Sequence, residues 1–285
     1  MLRFVCVFCL VASTLLFFIS CGSSDTDTVI NGQGGNEQDT VKNTADELVQ
    51  FKYDLTIGNI PIPFDILSKL TASGAAFKKE FLNAPASVSK YSQNNNKALN
   101  LGIYGGDLAY AICFEQYQEV GGYLKSTKKL ADDLGIPIAF DQRALTNFEK
   151  YKNNKDSLES LVFSSYAAVD KTLKSNERIG LASLVVVGSW LEGLYTTIKT
   201  LGDVPRDDAN KALYVKIWEQ KGHLNKLLDL LAEFKSDAYF GEMITELQGI
   251  KSVYDNLEVK SEISQKEIQT VGKKTEELRN KIIAG

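Results

Sequence analysis

The sequence predicts an all-α fold, a multi-helix bundle standing behind an N-terminal signal and a flexible linker. Three observations predict it. Only five prolines interrupt 285 residues, so long stretches contain no obligatory helix breaker. Ala, Leu, Lys and Glu are abundant, and these side chains lose little freedom in a helix. Through most of the chain apolar residues recur three and four apart, the spacing of one helical face.

The chain opens on Arg3, the sole charge before Cys21, followed by an apolar run from Phe4 to Ile19 broken only by Ser13 and Thr14. A basic start, a short apolar core and a small residue before the cleavage point make a secretory signal. At about 16 residues the run is shorter than the roughly 20 that span a bilayer. It ends in Phe18-Ile19-Ser20-Cys21, which resembles the lipobox of bacterial lipoproteins, with Phe18 where Leu is usual. The resemblance implies that Cys21 is lipidated and becomes the new N-terminus, with a signal peptide over 1–20. Each buried methylene stabilises membrane insertion by about 0.8 kcal/mol, so several acyl chains anchor a protein durably.

Residues 22–44 read as an acidic flexible tether. They are rich in Ser, Asp, Thr, Gly and Asn, with too few apolar groups to offset the cost of ordering. A tether of about 20 such residues reaches ~25 Å. Residues 45–285 form the helical bundle domain. Within it, Phe51, Tyr53, Leu55 and Ile57 alternate, and Gln50–Ile57 reads as an extended arm. Pro63 suits a first helical turn, followed by Phe64, Leu67 and Leu70 at helical spacing. Ala86–Tyr91 reads as a short helix.

Leu99–Leu134 reads as one long helical stretch, kinked or divided at Gly121-Gly122, and stopped by Gly135 and Pro137. Its Gly102, Gly105, Gly106 and Ala109 place small residues three and four apart, which lets another backbone approach closely. Asp141 is the expected cap of a helix to Lys152, and Asp156 of the next, to Leu173. Ile179–Leu194 is apolar nearly all round, with Gly188 and Gly193 as small positions. A helix without a polar face belongs at the centre of its bundle. Asp207–Lys235 carries a regular stripe including Leu213, Ile217, Leu224 and Leu231; Ala238–Asn256 and Glu258–Ile283 complete the set. The last has Ile268, Val271, Thr275, Leu278 and Ile282 as its apolar stripe. It is expected along the bundle's edge, with a protein partner as the alternative use.

The formal net charge of −4 argues against nucleic acid, which requires a basic face. Cys6 and Cys9 leave with the signal and Cys21 is acylated, so Cys113 is the single free thiol, expected to be a small buried hydrophobe. His223 is the only histidine, which removes triads and His-rich metal sites. The residues therefore point to no catalytic set, no metal and no cofactor. The remaining polar candidates are Asp107, Glu115, Glu119 and Glu192, carboxylates in apolar company near several tyrosines. Asp107 and Glu115 are eight apart, Glu119 is one turn further, and Glu192 approaches them if the Gly-rich helices pack together. They read either as a small-ligand or cation site or as structural hydrogen-bonding groups.

Together with the lipobox, the segments Leu99-Asn100-Leu101-Gly102-Ile103-Tyr104-Gly105-Gly106-Asp107-Leu108-Ala109-Tyr110 and Lys129-Leu130-Ala131-Asp132-Asp133-Leu134-Gly135-Ile136 resemble a group of helical lipoproteins of Bacteroidota. The resemblance supplies no activity. It implies a lipid anchor in a Gram-negative envelope, and Gly22 after the cysteine implies the outer membrane, on either face. The expected function is a membrane-anchored binding or assembly module, not an enzyme.

Overall fold

A computed structural model of the chain describes residues 37–57, 63–136, 152–202, 206–257 and 263–285, with a few single positions between them. The signal, Cys21, most of the tether and the helix expected after Asp141 lie outside the described residues. Among the described residues every regular element is helical. Nine α-helices run Glu37–Ile57 (α1), Pro63–Ala72 (α2), Asn94–Cys113 (α3), Tyr117–Asp133 (α4), Lys155–Ser175 (α5), Ile179–Gly202 (α6), Lys211–Leu231 (α7), Ala238–Asp255 (α8) and Gln265–Ala284 (α9). Short 3-10 turns cover Lys79–Phe81, Pro85–Lys90 and Ala232–Phe234. The fold is an all-α bundle.

Two expectations near the N-terminus are corrected. α1 starts at Glu37, so the bundle's first helix begins inside the segment read as tether. Gln50–Ile57 is helical, not extended. The alternation was misleading: on the helix Tyr53 is buried, whereas Phe51 and Leu55 stand exposed, so residues read as one strand face divide between two sides of a helix.

The bundle is organised on the crossing of α3 and α6, its most extensive helix pair. Glycines make the crossing close. A Cβ at Gly188 would lie 2.0 Å from the Leu99 carbonyl oxygen, and one at Gly102 would lie 2.1 Å from that of Val185. The small-residue spacing read in both helices thus serves backbone-to-backbone packing. Gly105 accommodates the Tyr166 ring of α5, where a Cβ would fall 1.5 Å from its hydroxyl. α6 is apolar and long enough by composition to cross a membrane. Here Leu184, Val187, Leu191 and Leu201 are fully buried inside the bundle, the central position its composition predicts.

The long stretch from Leu99 divides at Phe114-Glu115-Gln116, not at Gly121-Gly122. The Gln116 N–H donates to Ala111 O at 2.8 Å and the Glu115 N–H to Ile112 O at 2.9 Å. This pair of bonds closes a helix with its exit residue in the left-handed region, and Glu115 has φ 55° there. Glu177 (φ 55°) ends α5 the same way, and Gly135 (φ 72°) ends α4. Gly121 and Gly122 instead lie within α4, beside Phe148 and Pro85.

Around the central pair, α4 and α5 pack on α3, while α9 packs on α6 and α8. α5 is capped by Asn154, which accepts from the Ser157 N–H at 2.8 Å, rather than by Asp156. α9 begins with Ser264 and Glu267 in reciprocal capping bonds. Its stripe of Ile268, Val271, Thr275, Leu278 and Ile282 is buried within the chain, leaving its charged faces outermost.

Candidate functional site

Three helices deliver ionisable side chains to one buried point. Asp107 on α3 and Glu192 on α6 are fully buried, and Arg279 on α9 is 3% exposed. Gly106 makes the approach possible: a Cβ there would lie 2.8 Å from Glu192 Cβ. Arg279 donates from Nε to Glu192 Oε2 at 2.6 Å and from an Nη to Oε1 at 2.8 Å. This two-pronged geometry is the strongest form of carboxylate pairing. The same Nη also donates to Phe81 O at 3.0 Å. The guanidinium carbon stacks 4.3 Å from the centre of the Tyr195 ring, an added attraction for a desolvated cation.

Asp107 Oδ2 accepts the Asn83 backbone N–H at 3.2 Å. Its Oδ1 is buried and receives no donor from elsewhere in the protein. Burial and then the neighbouring Glu192 charge push the Asp107 pKa well above the ordinary carboxylate value, with Arg279 only partly opposing them. Both causes favour the protonated, uncharged form of Asp107, a buried acid beside a second carboxylate. Burial opposes the charge on Arg279, but Glu192 more than compensates and holds its pKa above the usual value.

Tyrosines enclose the cluster. Tyr104 donates to Ala84 O at 2.9 Å, and its ring lies 6.4 Å from those of Tyr91 and Tyr123. Asn83 Nδ2 donates to the Tyr91 hydroxyl at 2.9 Å, which in turn donates to Ile283 O at 3.3 Å. Burial raises the pKa of all three phenols, so they act as neutral hydrogen-bonding groups.

Of the four candidate carboxylates, the structure brings together Asp107 and Glu192 only. Glu115 is exposed at the α3–α4 turn. Glu119 is half-exposed and paired with Lys79 at 2.8 Å. The turn at Glu115 redirects the chain, so the helical register linking Glu115 and Glu119 to Asp107 does not exist. Arg279 is the member that sequence reasoning missed. It lies seven residues after Gly272, four after Thr275 and three before Ile282, all buried on α9, so the stripe's own spacing contains it.

The cluster fits a structural ion network better than a cation site. Both Glu192 oxygens are taken by Arg279, which stands where a bound cation would stand. No group of three His, Cys, Asp or Glu side chains suited to a metal occurs among the described residues. Cavities of about 10 and 20 Å³ lie elsewhere, one beside Gly105 and Tyr166 and the other beside Trp190 and Gln220. Each is about the size for one water. Cys113 is buried, with a thiol pKa pushed up to about 12 by burial, as befits an inert hydrophobe. His223 is half-buried and 3.2 Å from Gln220 Oε1, and burial followed by Lys226 holds its pKa down.

No family model and no solved structure matches the chain. GTP cyclohydrolase FolE2 from Staphylococcus aureus strains JH9 and Newman is 31% identical over 100 residues, 34% of this chain and 32% of that protein. The same match recurs with the enzyme of strain COL. The chain thus spans about a third of the length of the curated relatives it matches, which leaves its family unassigned.

Proposed function

We propose that the protein is a lipid-anchored lipoprotein of the bacterial envelope whose helical body is a binding or assembly module rather than an enzyme. The observation that carries this reading is Ile19-Ser20-Cys21 behind an apolar signal and ahead of a polar tether. The body is consistent with it: its most buried charges neutralise one another and open onto no described cavity. Two or three acyl chains on Cys21 hold such a body at the membrane while the tether sets its distance from the surface.

The test is the mass of the N-terminal peptide from membranes of the producing cell. Acyl groups on a peptide beginning at Cys21 are expected, and Cys21→Ser should move the protein to the soluble fraction. An unmodified, soluble wild-type protein overturns the reading. The partial similarity to GTP cyclohydrolase FolE2 prescribes a second assay, incubation of the purified protein with GTP, for which no turnover is expected. Turnover replaces the binding-module reading with an enzymatic one.

A further inference from the structure

Four large hydrophobic residues stand exposed among the described residues, and three are on α1: Leu48 at 51%, Phe51 at 63% and Leu55 at 54%. They are three and four apart and so form one stripe. Across the helix from them, Tyr53 is buried at 2% against the body. α1 therefore has two apolar sides, one packed on α6 and α7 and one facing outward.

We propose that this stripe receives a second copy of the same chain, as a parallel, in-register α1–α1 pair formed on the membrane. The inference rests on the lipid-anchor reading. Direction is the first argument. α1 begins at Glu37, downstream of Cys21, so an anchor at Cys21 holds the helix by its N-terminal end. Two copies anchored in one leaflet both bring α1 up from the same surface with the N-terminus lowest, so a pair between them is parallel.

Charge is the second and independent argument. With Leu48 and Leu55 at a and Phe51 at d of a heptad, Glu47 occupies g and Lys52 occupies e. In a parallel pair each g residue faces the e residue five places on in the other helix, so Glu47 of each copy meets Lys52 of the other. In an antiparallel pair g faces g, which brings Glu47 to Asp54, an acid already held by Lys174 of its own body, and leaves Glu47 without a cation. Lys52 is also bound to Glu233 of its own body, yet its side chain remains 38% exposed. Tyr53 falls at f, directly away from the seam, so the body packed on it lies on the far side of α1 from the pair.

The bilayer itself is the poorer occupant. α1 carries Glu37, Asp39, Asp46, Glu47 and Asp54 against Lys42 and Lys52, whereas interfacial helices present a basic polar face to anionic lipid. The seam is short, so pairing depends on confinement to a surface, which raises the effective concentration.

The experiment uses full-length lipidated protein in vesicles of phosphatidylethanolamine and phosphatidylglycerol. Phe51→Cys places one accessible thiol on the seam, because Cys113 is buried and Cys21 is acylated. Phe51 is exposed, so the substitution leaves the body intact. Mild oxidation should convert most of this variant to a disulfide dimer on vesicles, and at least tenfold less after dilution in detergent. Asp46→Cys, on the same helix but off the seam, should remain monomeric. A double Leu48→Asp, Leu55→Asp change in the Phe51→Cys background should abolish the dimer. Equal crosslinking from positions 46 and 51, or no crosslinking at 51 in protein whose Cys21 peptide is acylated, overturns the pairing while sparing the anchor. An unacylated Cys21 peptide overturns both.

Discussion

α6 and α9 supply the two halves of the buried ion pair, yet they are opposite kinds of helix. α6 is apolar nearly all round, sits at the centre and holds one fully buried acid, Glu192. α9 is charged over most of its surface, sits at the periphery and sends one arginine inward. The central helix obtains its position from glycines, through backbone contacts that any side chain would prevent. The outer helix obtains its position from an amphipathic stripe, and within that stripe Arg279 is admitted only because Glu192 is waiting. Shape specifies the first placement and charge specifies the second.

The sharpest way to break the comparison is at the crossing. Gly188→Ala puts a methyl 2.0 Å from the Leu99 carbonyl oxygen, with no flexible side chain to move aside. We expect a loss above ~4 kcal/mol, enough to abolish cooperative unfolding in a denaturant titration. The charge half comes next. Arg279→Met leaves Glu192 buried without a partner and should cost about 3–5 kcal/mol, whereas Arg279→Met with Glu192→Gln should recover most of it. A double variant no more stable than the single one would show that Arg279 acts through packing alone.

Protonation offers a finer probe. The folded-state pKa of Asp107 is raised, by burial first and Glu192 second, so the folded protein binds more protons than the unfolded chain above the unfolded pKa near 3.9. Stability from this group is complete below that pKa and is lost as pH climbs toward the folded value, at up to ~1.4 kcal/mol per pH unit. Asp107→Asn removes the titrating group while keeping an oxygen to accept from the Asn83 N–H. Melting curves across pH 4–8 should therefore fall less steeply for the variant than for the wild type. Identical slopes would contradict the raised Asp107 pKa. The smallest effect is expected at the helix exits. Glu115→Gly and Glu177→Gly relieve a left-handed backbone and should each stabilise by about 1 kcal/mol in thermal unfolding.

What was legible in the sequence follows the same division. Gly102 and Gly188 announce a close crossing because small residues at helical spacing have few other uses, and the all-round apolar character of α6 announces its central place. Asp107 and Glu192 were visible as acids among apolar neighbours. Arg279 was not, because a charged residue on a charged helix looks solvated until its register with Gly272 and Ile282 is traced. The α3–α4 break was hidden because Glu115 holds the left-handed position that glycine usually marks. That one concealed turn is why Glu115 and Glu119 were grouped with Asp107. On α1 the period-two pattern imitated a strand, since a helix with two apolar sides can alternate locally.

Arg279 also works as a latch between distant stretches of the chain. It lies 87 residues after Glu192 and 198 after Phe81 and is bonded to both. Any opening that lifts α9 off the body therefore strips Glu192 of its counter-charge inside a dry crossing. The outer helix cannot fray independently of the core, and release of α9 and opening of the crossing become a single event.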